Sequence, residues 1–148
     1  MQRVSKASIS ISDETFSSIG SGLVLLVGIS IKDGPNDIQY LVNKIINLRL
    51  FPSTKSNFDI SAKDANCEIL IVSQFTLYAD TKKGRRPSFT EAASPEKASE
   101  IFNQLVNSFE KTGLVIKTGK FQSHMMVELI NDGPVTIIID SANSTNNY

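Results

Sequence analysis

A chain of 148 residues, 41% hydrophobic and 20% charged, has the makeup of one globular domain large enough to bury a core, which excludes disordered and collagen-like classes. Fifteen Lys and Arg balance fifteen Asp and Glu, so any nucleic-acid binding must rest on a local basic patch and not on net charge. No apolar run approaches the roughly 20 residues needed to cross a bilayer; Met1–Lys6 lacks the apolar stretch of a signal peptide, and the single Cys67 can form no internal disulfide, so a cytoplasmic domain is expected.

The first segment alternates Ala7, Ile9 and Ile11 with Ser8, Ser10 and Ser12, the period of a half-buried strand. Asp13-Glu14 reads as a hairpin tip, and Gly20-Ser21-Gly22 as a break. Leu23 to Ile29 is apolar on both faces, which predicts a central strand. After Asp33-Gly34-Pro35, Ile38, Leu41, Val42, Ile45 and Ile46 recur at helical spacing, with Pro35 in a first turn where a missing N–H costs nothing. Residues 52–66 are polar and irregular, with at most one short strand near Phe58–Ile60. Glu68–Leu77 reads as a second buried strand, followed by the basic loop Lys82-Lys83-Gly84-Arg85-Arg86-Pro87. Ser94-Pro95 caps a second amphipathic helix whose stripe is Ala98, Ile101, Phe102, Leu105, Val106 and Phe109, with Gly113 as its stop. Three strands close the chain: Leu114–Thr118, Met125–Ile130 and Val135–Asp140, the last two joined by a turn at Asn131-Asp132-Gly133-Pro134. Many strands with two helices predict an α+β fold, a mostly antiparallel β-sheet or barrel with the helices packed on it. One domain over 1–140 is expected, followed by a polar, frayed tail at 141–148.

The missing chemistry narrows the function. One His and one Cys supply neither a structural zinc site nor a pair of acid/base histidines. No phosphate-binding glycine loop is present, and nothing around His124 resembles a nucleophile elbow; His124 and Cys67 read as structural or surface residues. Two segments are unusual for scaffold. Ser73-Gln74-Phe75-Thr76 interrupts an aliphatic strand with polar groups that cost a few kcal/mol to bury unpaired, unless the strand is merely leaving the core. Gly133-Pro134 lies between strands, either as a plain turn or as a rigid unit that touches a ligand. The basic loop, four cations within five residues, is either solvated surface or a binder of RNA phosphates.

These pieces resemble the D-aminoacyl-tRNA deacylases over nearly the whole chain. The likeness runs from Gln2-Arg3-Val4 through Gly22–Gly28 and Asn47-Leu48-Arg49, and peaks at Val72–Asp80 with Lys82–Phe89 and at Asn131–Thr136. Phe121-Gln122-Ser123 departs from the family's Phe-Gly-Ala, a change that bears on pocket shape and substrate preference, and the stretch Pro52–Asn57 is unlike its usual acidic loop. The resemblance implies a homodimer that hydrolyses D-aminoacyl-tRNA, a chirality-based proofreading step in translation, without metal or cofactor. It should also accept glycyl-tRNA, including glycine mischarged on tRNA(Ala). Gly133-Pro134 of one subunit, as a cis unit braced by Arg3, would enter the partner's pocket and exclude L side chains.

Ser73, Gln74, Phe75 and Thr76 are the implied catalytic set: main-chain N–H groups around Phe75-Thr76 stabilise the oxyanion, Ser73 and Gln74 shape and polarise the pocket, and the substrate's own ribose hydroxyl assists attack. Thr76 as a nucleophile is the alternative, with no visible base. Asn131, Thr136, Arg3, Phe89 and Met125 join Gly133 and Pro134 as implied substrate-binding residues. Lys82, Lys83, Arg85 and Arg86 are the implied tRNA phosphate contacts. The rival readings are a related deacylase with a trans Gly-Pro that acts on L-alanyl esters, a non-catalytic RNA-binding module, and a dimeric scaffold.

Overall fold

The computed structural model describes residues 1–143. The Ala/Ile–Ser alternation forms strand β1 (Gln2–Ile11), which turns at Ser12-Asp13 into β2 (Glu14–Ile19). Both turn residues have positive φ, 52° and 65°, as a two-residue hairpin turn demands, so the tip lies one residue earlier than predicted. Strand β3 (Gly22–Val27) follows. Opposite β1, Ala7 pairs with Ile19 and Val4 with Gly22 in one constant register, so β2 and β3 are a single strand kinked at Gly20-Ser21.

Helix α1 (Pro35–Asn47) starts where predicted, with the Asp37 carboxylate accepting the Gly34 N–H at 2.9 Å and Pro35 at the first position. It is followed by a small ladder of β4 (Arg49–Phe51) and β5 (Ile60–Ser61). Strand β4 was not anticipated; three residues carry too little pattern, yet Leu50 and Phe51 are buried. Next come β6 (Glu68–Ser73), helix α2 (Pro95–Glu110) capped by Ser94, β7 (Ile116–Thr118) and β8 (Met126–Thr136).

The sheet order is β2-β1-β3-β6-β7, with β8 on the other edge of β1. It is mixed: β3–β6 and β6–β7 are parallel, because α1 lies on the crossover between the first pair and α2 on that between the second. Ser17 Oγ donates to Thr118 O at 2.9 Å, tying β2 to β7 and curling the sheet toward a nearly closed barrel. Alternation on the central strands divides the core. Leu23, Leu25, Ile69 and Ile71 face the helices and meet Ile38, Val42, Phe102, Leu105 and Phe109. Val24, Leu70 and Val72 face the other way, against Val4, Ile9 and Ile19 inside the curl.

The predicted hairpin at residues 131–134 is absent. Strand β8 is continuous, but Val4 pairs with Asn131 and Gln2 with Thr136, five steps on β8 against two on β1. Three extra residues are therefore extruded as an enlarged, special bulge; a Gly-Pro that cannot serve the ladder is accommodated outside it and does not reverse the chain. Beyond the bulge the pairing resumes, Met1 N donating to Ile137 O at 2.7 Å and Ile137 N to Met1 O at 2.9 Å. Ser141–Asn143 forms a short 3₁₀ turn, and residues 144–148 of the polar tail lie outside the described residues.

Candidate active site

Strand β6 stops at Ser73, four residues before the predicted end. Gln74 N donates to Val27 O at 2.7 Å, the last tie to the neighbouring strand, and Phe75–Tyr78 winds into one 3₁₀ turn. The polar residues that interrupt the aliphatic run thus mark a change of backbone conformation. The turn is closed by Leu77 N to Gln74 O at 3.2 Å and Ala79 N to Thr76 O at 3.1 Å. The first N–H groups of a helical turn have no partner within it. Accordingly, no protein acceptor among the described residues takes the N–H of Phe75 or Thr76.

The turn forms one wall of a cleft of about 790 Å³. Val27, Ile29 and Val72 provide an apolar base, Phe89, Ala92 and Ala93 a second wall, and Phe121 to Met125 a third. Phe75 and Phe89 meet edge to face, with ring centroids 5.0 Å apart, and join the first two walls. Of the residues singled out from sequence, Ser73, Gln74, Phe75, Phe89 and Met125 converge here. Thr76 is next to the cleft with an exposed side chain, and its hydroxyl accepts a hydrogen bond from the Gln74 side-chain amide.

His124, read from sequence as structural or surface, is exposed at the cleft and makes no hydrogen bond to protein among the described residues. Gln122 and Ser123, departures from the family pattern that were expected to bear on pocket shape, line the cleft too. Ser123 N donates to Lys120 O at 3.3 Å across a four-residue turn whose third residue, Gln122, has φ +56°. Left-handed backbone at that position favours glycine, so the Gly-to-Gln departure was a legible sign of a special position.

A second group of residues lies outside the cleft lining. Gly133 has φ +132°, and the Gly133-Pro134 peptide bond is cis. Asn131, Gly133, Pro134 and Thr136 are all exposed on the bulge of β8. Arg3, buried on β1, holds the base of the bulge: Nε donates to Asp132 O at 3.0 Å and lies 3.3 Å from Asp132 Oδ2, while Nη1 donates to Leu50 O at 2.5 Å. Val127 lines the cleft, but Gly133 is six residues farther along the same strand, up to roughly 20 Å at extended rise.

Residues 1–140 match the family model described as D-Tyr-tRNA(Tyr) deacylase. The chain belongs to this family. It is 52% identical over 141 residues to the D-aminoacyl-tRNA deacylase of Thermoanaerobacter sp. (strain X514), covering 95% of each chain. It is 44% identical over 144 residues to that of Clostridioides difficile (strain 630), covering 97% of each. Among solved structures, the c-Myc DNA unwinding element binding protein superposes with a TM-score of 0.86 at 41% identity, over 92% of this chain and 93% of that one. A probable eukaryotic D-amino acid tRNA deacylase shares the fold with a TM-score of 0.75 at 13% identity, over 90% and 92%.

In this deacylase-family chain the basic loop follows directly on the 3₁₀ turn. Paired backbone hydrogen bonds between Asp80 and Ser88, 2.8 and 2.9 Å, pinch its base, and the Asp80 carboxylate accepts the Lys82 N–H at 2.9 Å. Lys82, Lys83, Arg85 and Arg86 are all exposed, and none has a carboxylate within 4.0 Å among the described residues. The loop is thus a concentrated cationic patch on a chain of zero net charge, with Phe89 leading from it into the cleft. No helix among the described residues is long and apolar enough to cross a membrane.

Proposed function

We propose that the chain hydrolyses the ester between a D-amino acid and the terminal adenosine of tRNA, releasing free D-amino acid and reusable tRNA during translation in the cytoplasm. The observation that carries this reading is the pair of unpartnered N–H groups of Phe75, which lines the cleft, and Thr76, which adjoins it. Hydrolysis of an aminoacyl ester passes through a tetrahedral intermediate, and two preorganised backbone donors at its oxyanion are worth more in a confined cleft than in water. Water adds to the carbonyl carbon, the C–O bond to the ribose breaks, and the neighbouring ribose hydroxyl assists from within the substrate. Such intramolecular assistance reaches effective molarities of about 10⁵ M or more. This route asks no acid/base pair of the protein. Ser73 and Gln74 shape the cleft, and Gln74 fixes the Thr76 hydroxyl.

Stereoselection comes from a second copy of the chain. Gly133-Pro134, presented on the bulge and held from behind by Arg3, enters the partner's cleft and leaves no space for an L side chain; Asn131 and Thr136 flank it on the bulge. Glycine carries no side chain to exclude, so glycyl-tRNA, including glycine on tRNA(Ala), is a substrate. Lys82, Lys83, Arg85 and Arg86 hold phosphates near the acceptor end, while Phe89 and Met125 contact the esterified adenosine or amino acid.

The test is hydrolysis of D-tyrosyl-, L-tyrosyl- and glycyl-tRNA by the purified protein with chelator present, together with its mass by light scattering. Loss of the D and glycyl esters, with the L ester spared and the mass of a dimer, is the expected result. Cleavage of L esters at equal rate, or full selectivity from a strict monomer, would overturn the proposal.

A further inference from the structure

Gly28 follows β3 immediately and lies under the 3₁₀ turn. A Cβ built there would stand 3.1 Å from Leu77 Cβ, and 3.1 and 3.2 Å from Cε2 and Cδ2 of the Tyr78 ring. Contacts that short are rare for real Cβ atoms, so an L side chain would displace the turn by a few tenths of an ångström. The requirement is for space: the turn's last two residues rest directly on bare backbone.

The strip around Gly28 carries both long walls of the cleft. Gln74 N bonds Val27 O at 2.7 Å, Ala93 N bonds Ile29 O at 2.9 Å, and Ile31 N bonds Glu91 O at 3.1 Å. Val27 and Ile29 themselves face the cavity. The walls are therefore referenced to one short backbone segment, and Gly28 is where the side chains of the turn meet it. Tyr78 is half-buried, facing Ser30, Asp33, Asp37 and Asp140, and desolvation raises its pKa above the usual phenol value. It packs on Gly28 as a neutral ring.

We propose that Gly28 is a positioning residue for deacylation: its missing side chain sets the seat of the Leu77-Tyr78 end of the 3₁₀ turn, and thereby the aim of the Phe75 and Thr76 N–H groups into the cleft. The proposal rests on the reading of those amides as oxyanion donors. Backbone donors cannot re-aim without moving the turn, and they work at about 2.7–3.1 Å from the oxyanion. Small misplacements of a reacting constellation are amplified in rate, by about 10²-fold for 1 Å.

Single-turnover and steady-state hydrolysis of D-tyrosyl-tRNA separates the possibilities. In Gly28→Ala the expected kcat falls about three- to tenfold with KM within twofold, because the basic loop and the apolar base are untouched. Tyr78→Phe keeps the ring contact and should retain kcat. Tyr78→Ala leaves the turn without its rest on Gly28, and should lower kcat with KM retained; being half-buried, it is the variant to use if Gly28→Ala folds poorly. The double variant, relieved of the ring clash, should fall by less than the product of the single reductions. Folded Gly28→Ala and Tyr78→Ala with wild-type kcat, even at lowered Tm, would show a merely structural contact and overturn the proposal. Phe75→Pro, which removes the N–H, compared with Phe75→Ala, which keeps it, tests the underlying reading separately. Equal activity of those two would remove the amide as donor, whatever Gly28 does.

Discussion

Arg3 offers the sharpest link between stability and selectivity. Its side chain is 8% exposed and its guanidinium serves two carbonyl groups far apart in sequence, Asp132 O and Leu50 O, as well as the Asp132 carboxylate. Arg3→Met keeps length and apolar packing and deletes the donors. Each hydrogen bond from a charged donor contributes about 1.5–3 kcal/mol net. The ion pair adds little, about 0–1 kcal/mol, because the Asp132 side chain is 50% exposed and rehydrates. Allowing for relaxation, a destabilisation of about 2–4 kcal/mol is expected, or roughly 5–15 °C in Tm for a chain of this size. Arg3→Lys retains the charge but has one head for two carbonyls, and should cost about half as much. Thermal unfolding at fixed protein concentration measures the first effect, and the ratio of D- to L-tyrosyl-tRNA hydrolysis well below Tm measures the second. The Met variant should be slower and less discriminating while still folded. A Tm within 2 °C of wild type, on the order of the shift for under 1 kcal/mol, would refute the energetic argument. A destabilised variant with an unchanged D-to-L ratio would refute the bracing of Gly133-Pro134.

Four further expectations rest on particular residues. Gly133→Ala would place a Cβ 2.8 Å from Val135 Cγ2 and 2.9 Å from Val135 N at a φ of +132°; a destabilisation of about 1–3 kcal/mol in urea titration is expected, together with reduced turnover of D-tyrosyl-tRNA. Gln122→Gly relieves a side chain from left-handed backbone and should raise stability by about 1 kcal/mol. Comparing D-alanyl with D-tyrosyl esters on that variant shows whether Gln122 also narrows the cleft, in which case the bulkier ester gains more. Arg85→Ser with Arg86→Ser should weaken tRNA binding most at low salt and flatten the plot of log affinity against log salt by about 0.7–0.9 for each phosphate that is no longer neutralised. Burial pushes the Cys67 thiol up to about 11, whereas an unfolded thiol ionises near 8.5. The folded state keeps a proton that the unfolded state gives up, so this contribution is complete below the unfolded value and disappears as pH rises through about 11. Cys67→Ala should show a flatter stability profile in that window by denaturant midpoints, and the native thiol should resist Ellman's reagent at pH 8.

Legibility in the sequence followed the length of the pattern. Both helices, their Pro35 and Ser94-Pro95 starts and their buried stripes were readable, since 13 and 16 residues sample several turns. The central strands were readable too, because burial on both faces leaves continuous aliphatic runs. What failed was local backbone choice. Asn-Asp-Gly-Pro is strong turn chemistry in isolation, yet pairing with β1 on both sides keeps β8 extended and converts the turn signal into a bulge. At Gln74 the polar interruption showed that the strand changes character, but a strand leaving the core and a 3₁₀ turn look alike in hydrophobicity, so the pattern did not say which. The parallel pairs were hidden for a different reason: strand direction is set by which connections contain a helix, and the irregular stretch before β6 obscured that the first crossover contains α1. Gln122 and Ser123 were flagged by their departure from the family pattern, whereas His124 reaches the cleft by a turn whose position depends on how the sheet curls, a long-range property with no local signature.

The features proposed to catalyse and to select fall in different parts of one chain, and that separation is the strongest physical argument for a second copy. The cleft has aromatic walls and an adjoining cationic loop, but a pair of amides acting on a carbonyl oxygen, as proposed, could not distinguish the two configurations at the α-carbon. The unit rigid enough to do so, Gly133-Pro134, projects from the bulge into solvent. Around it β8 exposes Met126, Val127 and Ile130, between 37% and 63% of each, on a strand whose far edge is unpaired among the described residues, an edge of the sort proteins normally cover. One two-fold operation would cover that surface and deliver each Gly-Pro to the other copy's cleft, since an isologous contact repeats every pairing twice. On this account, mixing chains inactivated at Phe75 with chains altered at Gly133 should restore selective hydrolysis, because half of the sites in a mixed dimer would combine an intact cleft with an intact Gly-Pro. Absence of any recovery, with subunit exchange verified by mass, would place the selective unit and the cleft in the same chain.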